Sequence, residues 1–186
     1  TNVLYTLSKH DPIPIYSLVN EASVSIPITD LQTRFIAGQL PDWSGYEYLP
    51  ATQNKLITHN LLFDFTLPTA YTGAGMEVTR GKWIMKALLG NMNKSKKDAN
   101  HKAPMLAYRV DYSRGEFQGF GFAGVHGKHV NFNDCVDVDC ERFKESRVDL
   151  FEFDAYFIRG DWTVQGQLSY GRQRRAAATP DADGNL

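Results

Sequence analysis

The residues best suited to chemistry fall in two places. At 126–129 the chain reads HGKH, followed shortly by NDCVDVDCERF at 133–143. His126 and His129 with Asp134 are zinc-type donors, but a zinc site needs further ligands at fixed spacing. Asp134, Asp137, Asp139 and Glu141 offer oxygens to a hard cation such as calcium, yet the turn glycine and bidentate spacing of a calcium loop are missing. No metal is expected, and the histidines read as loop residues. The second place is RGD at 159–161, the form of an adhesion ligand. It has two relatives in the same chain, however. VTRGKW (78–83), YSRGEF (112–117) and FIRGDW (157–162) share one pattern: apolar, any, Arg, Gly, charged, aromatic. A pattern used three times is structural before it is a ligand. No glycine-rich phosphate loop opens a helix. No nucleophile, base and orienting group assemble, and His59 and Ser113 are not placed to act together. The expectation is therefore no enzyme and no cofactor.

The three repeats read as tight hairpin turns. With Arg and Gly as the two central residues, Val78 faces Trp83, Tyr112 faces Phe117, and Phe157 faces Trp162. Gly81, Gly115 and Gly160 supply the positive φ such turns need, and apolar cross-strand pairs fix the register. The flanks alternate with period two, as half-buried strands do. Phe151, Phe153, Ala155 and Phe157 share a face, with Glu152 and Asp154 opposite. Trp162, Val164, Gly166, Leu168 and Tyr170 alternate with Gln165 and Gln167. Leu106, Tyr108, Val110 and Tyr112 alternate with Arg109 and Asp111. Thr72, Ala74, Met76 and Val78 continue into Trp83, Met85, Ala87 and Leu89, with Glu77 and Lys86 opposite. The strand over 117–126 is ambiguous. The register from Phe117 puts Gly119, Gly121, Ala123 and Val125 on the apolar face and Phe120 and Phe122 on the other, so its facing stays open. A fourth hairpin is expected upstream, with 16–26 before a turn at PITD (27–30) and Leu31, Thr33, Phe35 and Ala37 after it, Arg34 opposite. That makes eight up-and-down strands, with short turns at one end. Long connections lie at the other, over about 41–68, 92–103, 128–146 and 172 onward.

The composition decides little alone. The 186 residues carry a formal net charge of −1, with 42% hydrophobic and 12% aromatic residues. That charge points to no nucleic-acid partner. No apolar run reaches the ~20 residues of a spanning helix, but barrel strands cross a membrane without one. A soluble sandwich or barrel would bury the apolar face; a membrane barrel would turn it to lipid. Three features favour the membrane barrel: strands of roughly ten residues, against the ~5–6 usual in soluble sheets; aromatics at strand ends, as in an interfacial girdle; and turns short on one side only. The soluble ligand-binding module remains the alternative.

Laid out this way, the chain resembles the porins of the Gram-negative outer membrane, the OmpL-like β-barrel group. The resemblance is spread over most of 15–171. It is most specific in RFIAGQLPDWSGYEYLPATQNKLITHNLLFDFTLPTAYTGAGMEV. There a strand ends near Gly38, and a long loop carries Gly45, Tyr46 and Glu47, then Asn54 and Asn60. Pro68 opens the next strand, followed by Thr72 and Gly73. The stretch FEFDAYFIRGDWTVQGQLSYGRQ resembles a porin hairpin. The resemblance implies an all-β, antiparallel up-and-down transmembrane β-barrel in the outer membrane, with 1–186 as one barrel domain. The start at Thr1 and the polar end TPDADGNL suggest cut or processed ends. The eight strands are thus expected to form part of a larger barrel, since eight alone leave an interior just filled by side chains.

The resemblance also assigns roles. Arg34, Glu77, Lys86, Arg109, Asp111, Glu152, Asp154, Gln165 and Gln167 would line the pore. Because both signs occur among them, the channel would be weakly selective and pass small hydrophilic solutes. Loop 41–68 is too long for a plain connection and is expected to fold inward and narrow the path. In the oxidising envelope, a disulfide between Cys135 and Cys140 is the leading reading, although two cysteines five apart need a sharp bend. Lipid and lipopolysaccharide are the expected partners. The run KSKKD (94–98) is a loop tip near lipopolysaccharide phosphates, and the arginines of the three turns sit at the inner membrane surface. An oligomer interface would share the lipid-facing side, so it is left open.

Overall fold

The computed structural model describes residues 21–28, 30–48, 51–55, 58–65, 70–92, 104–130 and 145–174. They form an all-β structure. Eight strands make one antiparallel sheet in which each strand pairs with the next: β1 (Ala22–Pro27), β2 (Thr33–Pro41), β3 (Ala70–Arg80), β4 (Trp83–Asn91), β5 (Pro104–Ser113), β6 (Gln118–Val130), β7 (Glu145–Arg159) and β8 (Trp162–Arg174). The sheet is open: among the described residues β1 and β8 each have one neighbour. Between β2 and β3 lie a 3₁₀ turn (Ala51–Gln53) and a one-turn helix, α1 (Leu61–Phe65). No described helix is long and apolar enough to cross a membrane.

The hairpins form where the repeats place them, but the register differs. In the first and third, Arg80 pairs with Trp83 and Arg159 with Trp162. The central residues are therefore Gly81–Lys82 and Gly160–Asp161, not Arg–Gly. The reason is steric. Primed hairpin turns need positive φ at the first central position, and Gly81 and Gly160 supply +59° and +58° there. The shift moves each partner by two, so the faces are unchanged.

The second repeat departs further. Tyr112 pairs with Phe120 rather than Phe117, and the loop is longer, closed by a bond from the Arg114 amide to the Gln118 carbonyl. A slip of three is odd, and an odd slip exchanges the two faces. It resolves the open strand: Phe120 and Phe122 join Tyr112 and Val110 on the apolar side, and Gly119, Gly121, Ala123 and Val125 turn to the other. Aromatic contacts lock the register. Trp83 and Tyr112 have ring centres 4.8 Å apart, Tyr112 and Phe120 5.2 Å. Upstream, β1 starts at Ala22, and 16–20 lie outside the described residues. The turn there is tied by Asp30, whose Oδ1 accepts from the amides of Gln32 (3.0 Å) and Thr33 (2.8 Å).

The two faces differ in what covers them. The outer face carries Ile26, Phe35, Met76, Trp83, Met85, Leu89, Leu106, Phe120, Phe122, Phe151, Phe153, Phe157, Val164, Leu168 and Tyr170, all exposed. Leu168 is 72% exposed and Trp162 77%. The buried residues lie on the inner face: Ile36, Leu40, Tyr71, Leu88, Met105, Ala107, Val125 and Leu150 form a cluster, with Glu152 and Asp154 beside it at 1% and 3% exposure. The inner face is also concave. Asp42 bonds Tyr71 on β3, and a Cβ on Gly45 would stand 2.8 Å from Gln167 Oε1 on β8. A flat sheet would put β3 and β8 five strand spacings apart, about 24 Å. Asp42 and Gly45 are at most about 11 Å apart along the chain. The sheet therefore curls around segment 42–48. Gly38, Gly73 and Gly90, in register across β2, β3 and β4, lie where neighbouring backbone occupies the Cβ position.

Candidate functional site: the inner face and its inward segment

All of the residues expected to line a pore lie on the inner face. Arg34, Glu77, Lys86 and Arg109 form one cross-strand row, which continues through Ala123 to Glu152 and Ser169. Asp111, Asp154 and Gln167 stand in the next row, with Gly121 between the two acids, and Gln165 lies one step nearer the short turns. Opposite charges meet at two neighbouring positions, Arg34 with Glu77 and Glu77 with Lys86, while Lys86 stands opposite Arg109. The small residues of β6 are the space that the larger polar groups occupy. The Arg109 guanidinium lies where a side chain on Gly121 would be.

Arg109 is the centre of the arrangement. Its Nε donates to Asp111 Oδ1 at 2.7 Å, and its Nη1 and Nη2 engage both oxygens of Asp154 at 2.9 and 3.1 Å. The same Nη1 donates to the carbonyls of Trp43 (2.7 Å) and Gly45 (3.1 Å). The Arg109 side chain is 12% exposed and that of Asp154 4%. One guanidinium thus ties β5, β7 and the inward segment together, hydrogen-bonded to Asp154 Oδ1 and ion-paired with the carboxylate as a whole. Lys86 Nζ stands 5.5 Å from the centre of the Trp43 ring, a cation–π distance. Trp43 packs edge-on against Tyr71, with ring centres 5.7 Å apart.

The segment is also held from within. Asn54 clamps Tyr48, donating to its carbonyl at 2.7 Å and accepting from its amide at 2.8 Å. Glu47 accepts from the Asn60 amide at 2.8 Å. Asn60 Oδ1 accepts from the Phe63 amide at 2.8 Å and caps α1. His59 stacks on Phe63 at 4.3 Å. The expected inward fold of loop 41–68 therefore has a definite form among its described residues: Asp42, Trp43 and Gly45 touch the wall, and Asn54 and Asn60 brace Tyr48 and Glu47 behind them. Asp42 accepts from the Tyr71 hydroxyl and from Ser44 Oγ (3.0 Å). Burial outweighs these bonds and pushes its carboxyl from the ordinary 3.8 up to about 6. On the far wall, Gln167 donates to Glu152, and Ser169 Oγ donates to the same carboxylate at 3.2 Å.

Sequence reasoning missed one feature. The inner face is polar only towards the short turns; towards the long connections it is the apolar cluster under Trp43. The signal was faint, because Phe35–Ile36, Leu88–Leu89 and Leu150–Phe151 are apolar on both faces and period two gives no contrast there. Gly81, Gly115 and Gly160 sit in the short turns, Gly115 with φ +102°. Cys135, Cys140, the acidic cluster 134–141 and KSKKD (94–98) lie outside the described residues, as does the side chain of His129. His126 falls on the outer face, where its Nδ1 meets Asp149 Oδ1 at 3.1 Å.

The fold and the site together define an all-β protein whose up-and-down sheet curls around a segment of its own chain. The model of one family, described as a protein of unknown function (DUF3138), matches residues 13–113. That is over half of the chain, which belongs to this family. The match takes in β1 to β5 and the whole inward segment. No curated protein and no solved structure matches the chain.

Proposed function

We propose that these strands form wall of a β-barrel porin in the outer membrane of a Gram-negative cell, a passive channel for small hydrophilic solutes. One observation carries the reading: the exposed face is the apolar one, and the charged face is inside. A water-soluble protein would gain by the reverse, because about 25 cal/mol is lost for each Å2 of apolar surface left wet. A band of this kind facing hydrocarbon carries no such penalty. The mixed signs of Arg34, Glu77, Lys86, Arg109, Asp111, Glu152 and Asp154 support weak ion selectivity. Segment 42–48, bound through Arg109, is the element that narrows the path, and the apolar cluster beneath it is its seat.

The test is reconstitution of the full chain. It should refold only with detergent or phospholipid, migrate on gels in a heat-modifiable way, and raise the conductance of a planar bilayer. Deleting 48–60 should enlarge the conductance step. A monomer soluble without detergent, with no conductance, would favour a soluble β-barrel or sandwich that binds a ligand, and would overturn the proposal. An unchanged step after the deletion would remove the constricting role alone.

A further inference from the structure

We propose that the outer face carries, at its long-connection end, a binding site for the phosphate groups of lipid headgroups, formed by Arg147, Arg172 and Arg174. The inference rests on the membrane reading above and gives the expected lipid partner a definite place on the wall. Two adjacent cross-strand rows build the site. Lys128 pairs with Arg147 and Arg147 with Arg174; one step towards the middle of the strands, His126 pairs with Asp149 and Asp149 with Arg172. All three arginines are exposed. Like charges directly opposite across strands are destabilising, so the pair Arg147–Arg174 invites an anion.

The acids in these rows do not supply it. Asp149 is the one carboxylate in them, and both its oxygens are engaged, Oδ1 with His126 at 3.1 Å and Oδ2 with Arg147 Nε at 3.2 Å. Among the described residues Arg172 and Arg174 have no carboxylate partner. Guanidinium forks on neighbouring strands, about 4.8 Å apart, suit the paired oxygens of phosphate.

The position names the source of the phosphate. Along the same face the rows run from Phe122–Phe153–Leu168 to Phe151–Tyr170 and then to the cations. The apolar band thus ends where the arginines begin. Arg147 and Arg159 lie at opposite ends of the outer face of β7. Their separation is about 41 Å along the strand, or about 31 Å in height at a tilt near 40°. That is about the thickness of the hydrocarbon core, which puts Arg147 and its neighbours at headgroup level.

The experiment compares the full chain with R147Q/R172Q/R174Q, both reconstituted in phosphatidylcholine nanodiscs with and without bis-phosphorylated lipid A. Retained lipid A is read by native mass spectrometry after detergent extraction. The unsubstituted chain should retain it, with retention falling as salt rises. The triple variant should retain at least tenfold less, and R172K/R174K, which keeps the charge but not the fork, should lose part of the binding. Equal retention by the triple variant would overturn the proposal, as would displacement of the lipid by inorganic phosphate at matched concentration. Heat-modifiable migration in phosphatidylcholine alone separates the two readings. If the unsubstituted chain lacks it, the membrane reading falls and takes this proposal with it. If both proteins show it and retention is equal, only the phosphate site falls. Should the triple variant not fold, Arg174→Gln alone, on the edge strand, should show a smaller loss in the same direction.

Discussion

The two faces of this sheet are built from alternate residues of the same strands, yet they solve opposite problems. On the outer face Phe151, Phe153 and Leu168 are exposed; Phe153 stands opposite Leu168 and Phe151 opposite Tyr170, with the Phe153 ring 6.2 Å from that of Phe120. On the inner face Glu152 and Asp154, one residue away, are almost fully buried and held by Gln167, Ser169 and Arg109. Burying a carboxylate is costly unless it is paired, so the inner face had to be assembled as a network. The outer face needs no partners within the chain, because its proposed partner is lipid. The comparison teaches that being apolar does not by itself place a residue in the core of this molecule. The core is where the chain folds back on itself, and there charge and apolar bulk are packed together.

The comparison can be broken most sharply at Arg109. Arg109→Ala leaves Asp154 without its cationic partner and the carbonyls of Trp43 and Gly45 without their donor. Removing one member of a buried pair costs about 3–5 kcal/mol, to be read from urea unfolding in phospholipid vesicles. The inward segment should also loosen, enlarging the conductance step. Next comes Phe153→Lys on the outer face. At the middle of a lipid-facing band it should cost about 2–4 kcal/mol, whereas an exposed surface position on a soluble protein would change by less than about 0.5 kcal/mol. Its inner-face counterpart, Gln165→Lys, should alter ion preference and leave stability within about 0.5 kcal/mol.

Asp42 sharpens the comparison through pH. Its folded-state value, about 6, lies above the ordinary 3.8. The unfolded chain therefore binds fewer protons in that interval, and stability falls as pH rises from about 4 to about 6. The full span corresponds to roughly 3 kcal/mol as an upper bound. Asp42→Asn should flatten the profile while keeping an acceptor for Tyr71, and a profile unchanged by the substitution would refute this. The smallest effect is expected at the turns. Gly160→Ala forces a side chain into positive φ and should cost about 1 kcal/mol, measured as a shift in the urea midpoint.

Much of this arrangement was legible in the chain. Period-two alternation assigned the faces of β3, β4, β5, β7 and β8, and a turn shifted by one position at both arms cannot change them. Thus the misplaced centres at Gly81 and Gly160 did no harm to the facing. Phe120 and Phe122 were ambiguous because the longer loop 114–117 slips the register by three, and loop length is not written in alternation. The clasp of Arg109 on Trp43 and Gly45 was not legible either. It joins residues more than sixty positions apart through backbone carbonyls, which carry no side-chain signature. The apolar half of the inner face was hidden by doublets such as Leu88–Leu89, in which both faces look alike.

The central claim is that the greasy face meets hydrocarbon and the charged face does not. The chain's three tryptophans test it directly. Trp83 and Trp162 lie on the outer face beside the short turns, and Trp43 lies under the curl of the sheet against Tyr71. Variants that each keep one tryptophan, refolded in vesicles of brominated phospholipid, should show strong quenching for Trp83 and Trp162 and little for Trp43. Quenching of Trp43 with Trp83 and Trp162 untouched would contradict the account.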